Sequence, residues 1–215
     1  MSTALLEQYI TEGNLKAITG LLTENAALAT QITSFNISPL MLSCYYKKPE
    51  VTALLLNYTG DINIFEAAAT GKFDVLAHLI YTRPDSVNDY GADGFTSLGL
   101  ACYFGQFETA RYLVLKGADV NLPSKNGFNV FPLHSAAAGN YTDIARMLVE
   151  NGADVNVKQQ MGVTPLHSAA QNGNLELIIL LLEKNAVVDV RMEGGKLPAD
   201  LAREKGFTEI ADILV

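Results

Sequence analysis

The sequence predicts an all-α solenoid of about seven helix-turn-helix units stacked in a row. Three observations predict it. Segments end alike, as KGADVN at Lys116–Asn121, NGADVN at Asn151–Asn156 and YTGDIN at Tyr58–Asn63. Segments also open alike, as FPLHSAA from Phe131, TPLHSAA from Thr164 and SPLMLSC from Ser38. The residue that closes the first helix of each unit recurs at Gly13, Lys47, Gly71, Gly105, Asn140, Gly173 and Gly206, with spacings of 34, 24, 34, 35, 33 and 33. A period near 33 marks a repeat architecture in which each unit buries its apolar face only against its neighbours.

One unit shows why the helices form. In Thr164-Pro165-Leu166-His167 the proline ring locks φ in the helical range in the first turn, where its missing N–H costs nothing, and threonine is a good N-cap. Ser168, Ala169 and Ala170 are small enough for a second helix to lie close, and Gly173 suits the positive φ that ends a helix. Leu177, Ile178, Leu181 and Leu182 then form one broad apolar face of a second, antiparallel helix.

Taken in order, the units fall into two groups. Laying Gly13 on Gly71 and keeping that register also superposes Leu40 on Leu98, Cys44 on Cys102, Tyr45 on Tyr103, Asp61 on Asp119 and Asn63 on Asn121 without a gap. Ten identities in the fifty-one positions from 13 to 63 point to a duplicated two-unit module, residues 1 to about 58 and 59 to about 116, followed by three further units. The last unit keeps Pro198, Leu201, Ala202, Gly206, Ile210, Ala211 and Leu214 but carries Asp200, Arg203, Glu204, Lys205 and Asp212, the polar face expected of a terminal repeat.

The period and wording resemble the ankyrin repeat along essentially the whole chain, in the style of small bacterial ankyrin-repeat proteins. The resemblance implies one domain over residues 1–215, with units at about 1–30, 31–61, 62–90, 91–121, 122–156, 157–189 and 190–215. It also implies a short β-hairpin finger between successive units, as at Val157–Val163. The spacing of 24 leaves no room for one between units two and three, where Asp61-Ile62-Asn63 runs straight into the next helix. Unit five, spaced at 35, carries two extra residues in Asn126–Phe131 and a longer finger that displays Phe128; Phe131 replaces the capping threonine. For His134 and His167, fourth in their openings, the resemblance implies a hydrogen bond to finger backbone.

Composition removes other classes. A net charge of −8 argues against a nucleic-acid binder, because phosphate neutralisation by Lys and Arg carries most of that affinity. The longest strongly apolar stretch, Leu177–Leu182, is far short of the roughly 20 residues that span a bilayer. The N-terminus MSTALLEQYI lacks a signal peptide's pattern, so a cytoplasmic, monomeric protein without membrane contact is expected. Cys44 and Cys102 occupy the same place two units apart, about 16 to 20 Å at packed-helix spacing, and are expected to be free, buried thiols. No GxSxG, GxxxxGK[ST], CxxC or HExxH occurs, and no enzyme, cofactor or metal is expected.

What remains is a protein-binding surface. In ankyrin-repeat proteins partners are usually held by the finger tips and by the two residues after the small pair of each first helix. Carried over, those places hold Tyr45, Tyr46, Tyr103 and Phe104 on helices and Phe35, Ile37, Phe95, Phe128 and Met161 on fingers. Large apolar anchors of this kind cost solubility when free and dominate affinity when covered. The expected function is a non-catalytic module that binds a protein partner through its concave face and fingers. The alternative is a dedicated regulator, accessory or immunity protein of one bacterial enzyme or toxin.

Overall fold

Helices begin and end where the local chemistry of the chain dictates. In the computed structural model, which describes residues 2–215, Asn63 caps helix Ile64–Thr70: its side chain accepts from the backbone N–H groups of Phe65 and Glu66, while Glu66 accepts from the Asn63 N–H. Such a reciprocal cap satisfies donors that the first turn otherwise leaves open. Gly173 ends helix Pro165–Asn172 at φ 68°, and the ring of Phe207 lies so close that a Cβ there would come within 2.6 Å of it. The conformation favours glycine and the crowding by Phe207 leaves little room for a side chain.

Fourteen helices follow in chain order among the described residues: α1 Ser2–Glu12, α2 Leu15–Glu24, α3 Pro39–Tyr45, α4 Pro49–Leu56, α5 Ile64–Thr70, α6 Phe73–Thr82 and α7 Ser97–Tyr103, then α8 Phe107–Leu115, α9 Pro132–Ala138, α10 Thr142–Glu150, α11 Pro165–Asn172, α12 Leu175–Glu183, α13 Pro198–Glu204 and α14 Thr208–Ile213. They form seven consecutive hairpins. The first helices touch in a continuous row from α1 to α13. Their small buried residues, Ala67–Ala69, Ala101, Ala136, Ala137, Ala169 and Ala170, permit that approach. Leucines seal the seams behind them: Leu40, Leu55, Leu76, Leu98, Leu113, Leu133, Leu148, Leu166 and Leu181 are all at most 1% exposed. Each such side chain contributes about 1.5–3 kcal/mol of burial, so the core is distributed along interfaces. Among the described residues no helix is long and apolar enough to cross a membrane.

The duplicated register recurs in the backbone. Helices α2 and α6 run over 15–24 and 73–82, α3 and α7 over 39–45 and 97–103, and short 3₁₀ turns over 26–30 and 84–88.

The fingers are simpler than the paired strands expected. Each is closed at its base by one backbone bond, Thr33 N–H to Ile37 O (2.9 Å), Gly91 to Phe95 (2.8 Å), Ser124 to Val130 (2.9 Å), Gln159 to Val163 (3.0 Å) and Met192 to Lys196 (3.0 Å). Among the described residues only Tyr90 and Thr96 form an isolated antiparallel bridge, because loops this short have no length for a second rung. Between units two and three Asn63 opens α5 directly, as the short spacing requires.

Successive units are also joined by an asparagine ladder. Asn88, Asn121 and Asn156 each donate from Nδ2 to a carbonyl of the next unit, Gly117, Gly152 and Asn185, and each accept through Oδ1 from an N–H there, Asp119, Asp154 and Val187. In the G-A-D-V-N turns Asp119 and Asp154 accept from the N–H two residues on, which caps the turn locally. Asn63 is the counterpart of Asn121 in the duplicated module but caps α5 instead, so this junction lacks both finger and rung.

A candidate partner-binding surface

His134 and His167 are buried beneath the finger bases. His134 Nδ1 accepts from the Phe131 N–H at 3.4 Å, which leaves the proton on Nε2 to be donated to the Val163 carbonyl at 2.9 Å. His167 repeats this with the Thr164 N–H (3.2 Å) and the Lys196 carbonyl (3.4 Å). Burial holds His134 down at about 4 and lowers His167 as well. Both imidazoles are neutral struts between one unit's helix and the next unit's finger. Cys44 and Cys102 are free and buried; burial pushes Cys44 up to about 11 and raises Cys102 too, so neither is a poised thiolate.

The nine residues expected on the binding surface divide into two sets. Phe128 (59% exposed), Phe35 (57%), Met161 (50%), Tyr46 (43%) and Tyr103 (40%) face solvent. Ile37, Tyr45, Phe95 and Phe104 are half-buried against the core. Neighbouring helical residues point about 100° apart, so Tyr46 and Tyr103 turn outward while Tyr45 and Phe104 turn in.

The inward aromatics build a platform for Tyr103. Tyr45 lies 5.8 Å from Tyr103 and 5.3 Å from Phe104 between ring centroids, Tyr103 and Phe104 meet edge-on at 5.0 Å, and Phe95 lies 6.2 Å from Tyr103. Tyr45 ends α3, and its partners Tyr103 and Phe104 stand at the end of α7, two units along the row. The contact is possible because α5, between them, offers only Ala69 and Thr70 at the corresponding place. The Tyr45 hydroxyl donates to Asp93 Oδ2 at 2.7 Å, tying α3 to the finger of unit four. Burial first, and the adjacent Asp93 carboxylate second, push that hydroxyl far above the usual tyrosine range.

Beside this cluster runs a groove of about 820 Å³, bordered by Tyr103, Phe104, Tyr141, Ala69, Thr70 and Gly139, and by Lys47, Lys48 and Lys72. No carboxylate lines it, and none of the three lysines forms an ion pair among the described residues. The Ser135 hydroxyl oxygen at its edge is buried without a partner among the described residues. The lysines and Tyr141 escape a reading of the repeat pattern because they lie at helix-connecting turns outside the carried-over places. The one available signal is that Lys47, Lys48 and Lys72 account for three of the chain's 15 basic residues within two equivalent turns.

On the fingers, Met161 has φ 66° and ψ 13°, a left-handed conformation that a non-glycine residue adopts at a cost of about 1–2 kcal/mol. Such strain concentrates at sites of function. No group of three His, Cys, Asp or Glu side chains that could hold a metal occurs among the described residues.

Comparison with known proteins agrees with the architecture. Residues 64–159 match a family model described as ankyrin repeats in three copies, and residues 148–202 match one described as ankyrin repeats in many copies. Ankyrin repeat and SAM domain-containing protein 6 of Rattus norvegicus is 36% identical over 102 residues, 47% of this chain and 12% of that protein. Protein phosphatase 1 regulatory subunit 27 of Homo sapiens is 30% identical over 99 residues, 46% of this chain and 63% of that protein. Probable 26S proteasome regulatory subunit p28 of Saccharomyces cerevisiae is 28% identical over 179 residues, 76% of this chain and 77% of that protein. The chain thus spans a small part of the SAM-domain relative and about three quarters of the yeast one.

Proposed function

The chain is an ankyrin-repeat protein, and from that premise we propose that it is a non-catalytic binding module whose partner docks on the groove and fingers of units two to six. The observation that carries this is the groove itself: exposed Tyr103 on a braced aromatic platform beside three lysines without ion pairs, with Tyr46 exposed at the end of α3. Phe35, Phe128 and Met161 extend the contact along the finger tips, and half-buried Ile37, Tyr45, Phe95 and Phe104 hold its shape. With no carboxylate in the groove, the partner's complementary surface is acidic and apolar. The reading includes one continuous domain over residues 1–215, a monomer in the cytoplasm, and no engagement of nucleic acid or membrane.

Affinity capture from the native host, quantified by mass spectrometry, tests it. Tyr46→Ala with Tyr103→Ala is expected to deplete the wild-type partner about tenfold or more while circular dichroism stays helical. Equal capture by the folded double variant refutes the assigned face. A dedicated regulator of one enzyme is the second reading, favoured by the names of the human and yeast relatives, both regulatory subunits. It requires a single partner recovered as a stoichiometric complex, measured by light scattering on the purified assembly.

A further inference from the structure

The fingers interlock along the row, with one break. Lys125 N–H donates to Gly94 O at 2.8 Å, Gln160 to Phe128 at 2.8 Å and Glu193 to Met161 at 2.7 Å, so the second residue of each finger is held by the finger before it. The first finger has no predecessor, and there the Glu7 carboxylate accepts from both the Ser34 N–H and hydroxyl at 2.7 Å. The finger of unit four is its counterpart in the duplicated module. Its second residue is Ala92, Phe65 replaces Glu7, and the Ala92 N–H has no acceptor among the described residues. Across the gap, the carbonyls of Phe35 and Asn36 receive no backbone donor among the described residues.

A cavity of about 270 Å³ fills the space where the missing finger would lie. Ile32, Ile37 and Phe65 supply apolar walls, while Asp61, Glu66 and Asp93 line it with no lysine, arginine or histidine. Glu66, only 8% exposed, accepts from the Asn63 N–H (2.9 Å) and the Ser38 hydroxyl (2.5 Å), and no cation among the described residues approaches it within ion-pair distance. The Thr59 hydroxyl oxygen on the same lining is buried without a partner among the described residues. The volume is below the roughly 300–1,000 Å³ of small-molecule pockets and suits a short stretch of main chain with one long side chain.

We propose that this vacancy is a receptor for an extended segment of a protein partner carrying a lysine or arginine, which takes the place of the absent finger. Its backbone accepts from the Ala92 N–H and donates to the Phe35 or Asn36 carbonyl, the bonding by which the other fingers hold one another. Its cation enters the cavity toward Glu66, Asp93 and Asp61, forming the charge-assisted contacts that the protein leaves unmade. Main-chain bonds supply affinity and the acidic cavity supplies the choice of side chain, as in other recognition by strand addition. The cavity shares no lining residue with the lysine-edged groove and is of opposite charge.

Selection of random twelve-residue displayed peptides on the intact chain, followed by fluorescence polarisation, tests the assignment. The enriched peptides are expected to share a Lys or Arg whose replacement by Met weakens binding about tenfold or more. Ala92→Pro removes only the open N–H, because residue 92 is the second position of the Gly91–Gly94 turn, where proline is favoured. Ala92→Pro and Asp61→Asn are each expected to weaken binding with unchanged melting temperature, and Tyr46→Ala to leave it intact. Failure to enrich any peptide, enrichment without a basic residue, or binding indifferent to both Ala92→Pro and Asp61→Asn overturns the proposal. Peptides that respond to Tyr46→Ala alone overturn it too, while leaving the groove reading in place.

Discussion

At the scale of single residues, the histidines couple the fold to pH. Burial holds His134 down at about 4 in the folded chain against 6.5 when free. Below pH 6.5 the unfolded chain takes up a proton that the folded chain refuses until about 4. Stability from this residue is therefore complete above 6.5 and lost as pH falls toward 4. The difference of 6.5 and 4 corresponds to about 3 kcal/mol, and His167, lowered for the same reason, acts in the same direction. Urea melts at pH 7 and pH 4.5 are expected to show this loss, and His134→Gln to flatten it. A variant with the parent's pH slope refutes the role. The strut is legible in the sequence through the family resemblance, but the direction of each tyrosine or phenylalanine is not. That depends on which neighbour offers space.

At the scale of elements, helices hold by caps and seams while the connections hold by side-chain staples. Asn121 donates to Gly152 O at 2.9 Å and accepts from Asp154 N–H at 2.9 Å. Two partly exposed hydrogen bonds contribute about 1–2 kcal/mol together. Asn121→Ala is expected to lower stability by that amount and to speed amide exchange at Asp154. An unchanged Asp154 exchange rate shows that the rung is dispensable. The same letter in the same register at Asn63 performs another task, the α5 cap, because the following finger is absent and the helix begins at once. The recurrence of G-A-D-V-N was legible, but the ladder was not, since its partners are backbone atoms of the following unit, far along the chain.

At the scale of the whole molecule, the junction between units two and three is the weakest interface. It has neither finger nor rung, and its cavity replaces packed backbone. Stability in a linear array is a sum of unit and interface terms, so opening begins where an interface term is small. Hydrogen exchange in increasing urea is expected to release the amides of α1–α4 together, before those of α7–α12. One coincident transition for all helices refutes the weak joint.

The sequence by itself determined the repeat, the starts and stops of the helices, the duplicated module and the missing finger, because each rests on local periods and on residues whose backbone preferences act at short range. The tertiary structure alone decided which aromatics face outward, that lysines edge the groove and carboxylates the vacancy, and that Ala92 is left without the partner its counterparts have. The physical reason is distance along the chain. Tyr45 meets Tyr103 only because the unit between them carries Ala69 and Thr70, and an open N–H becomes visible only when every neighbouring finger is in place.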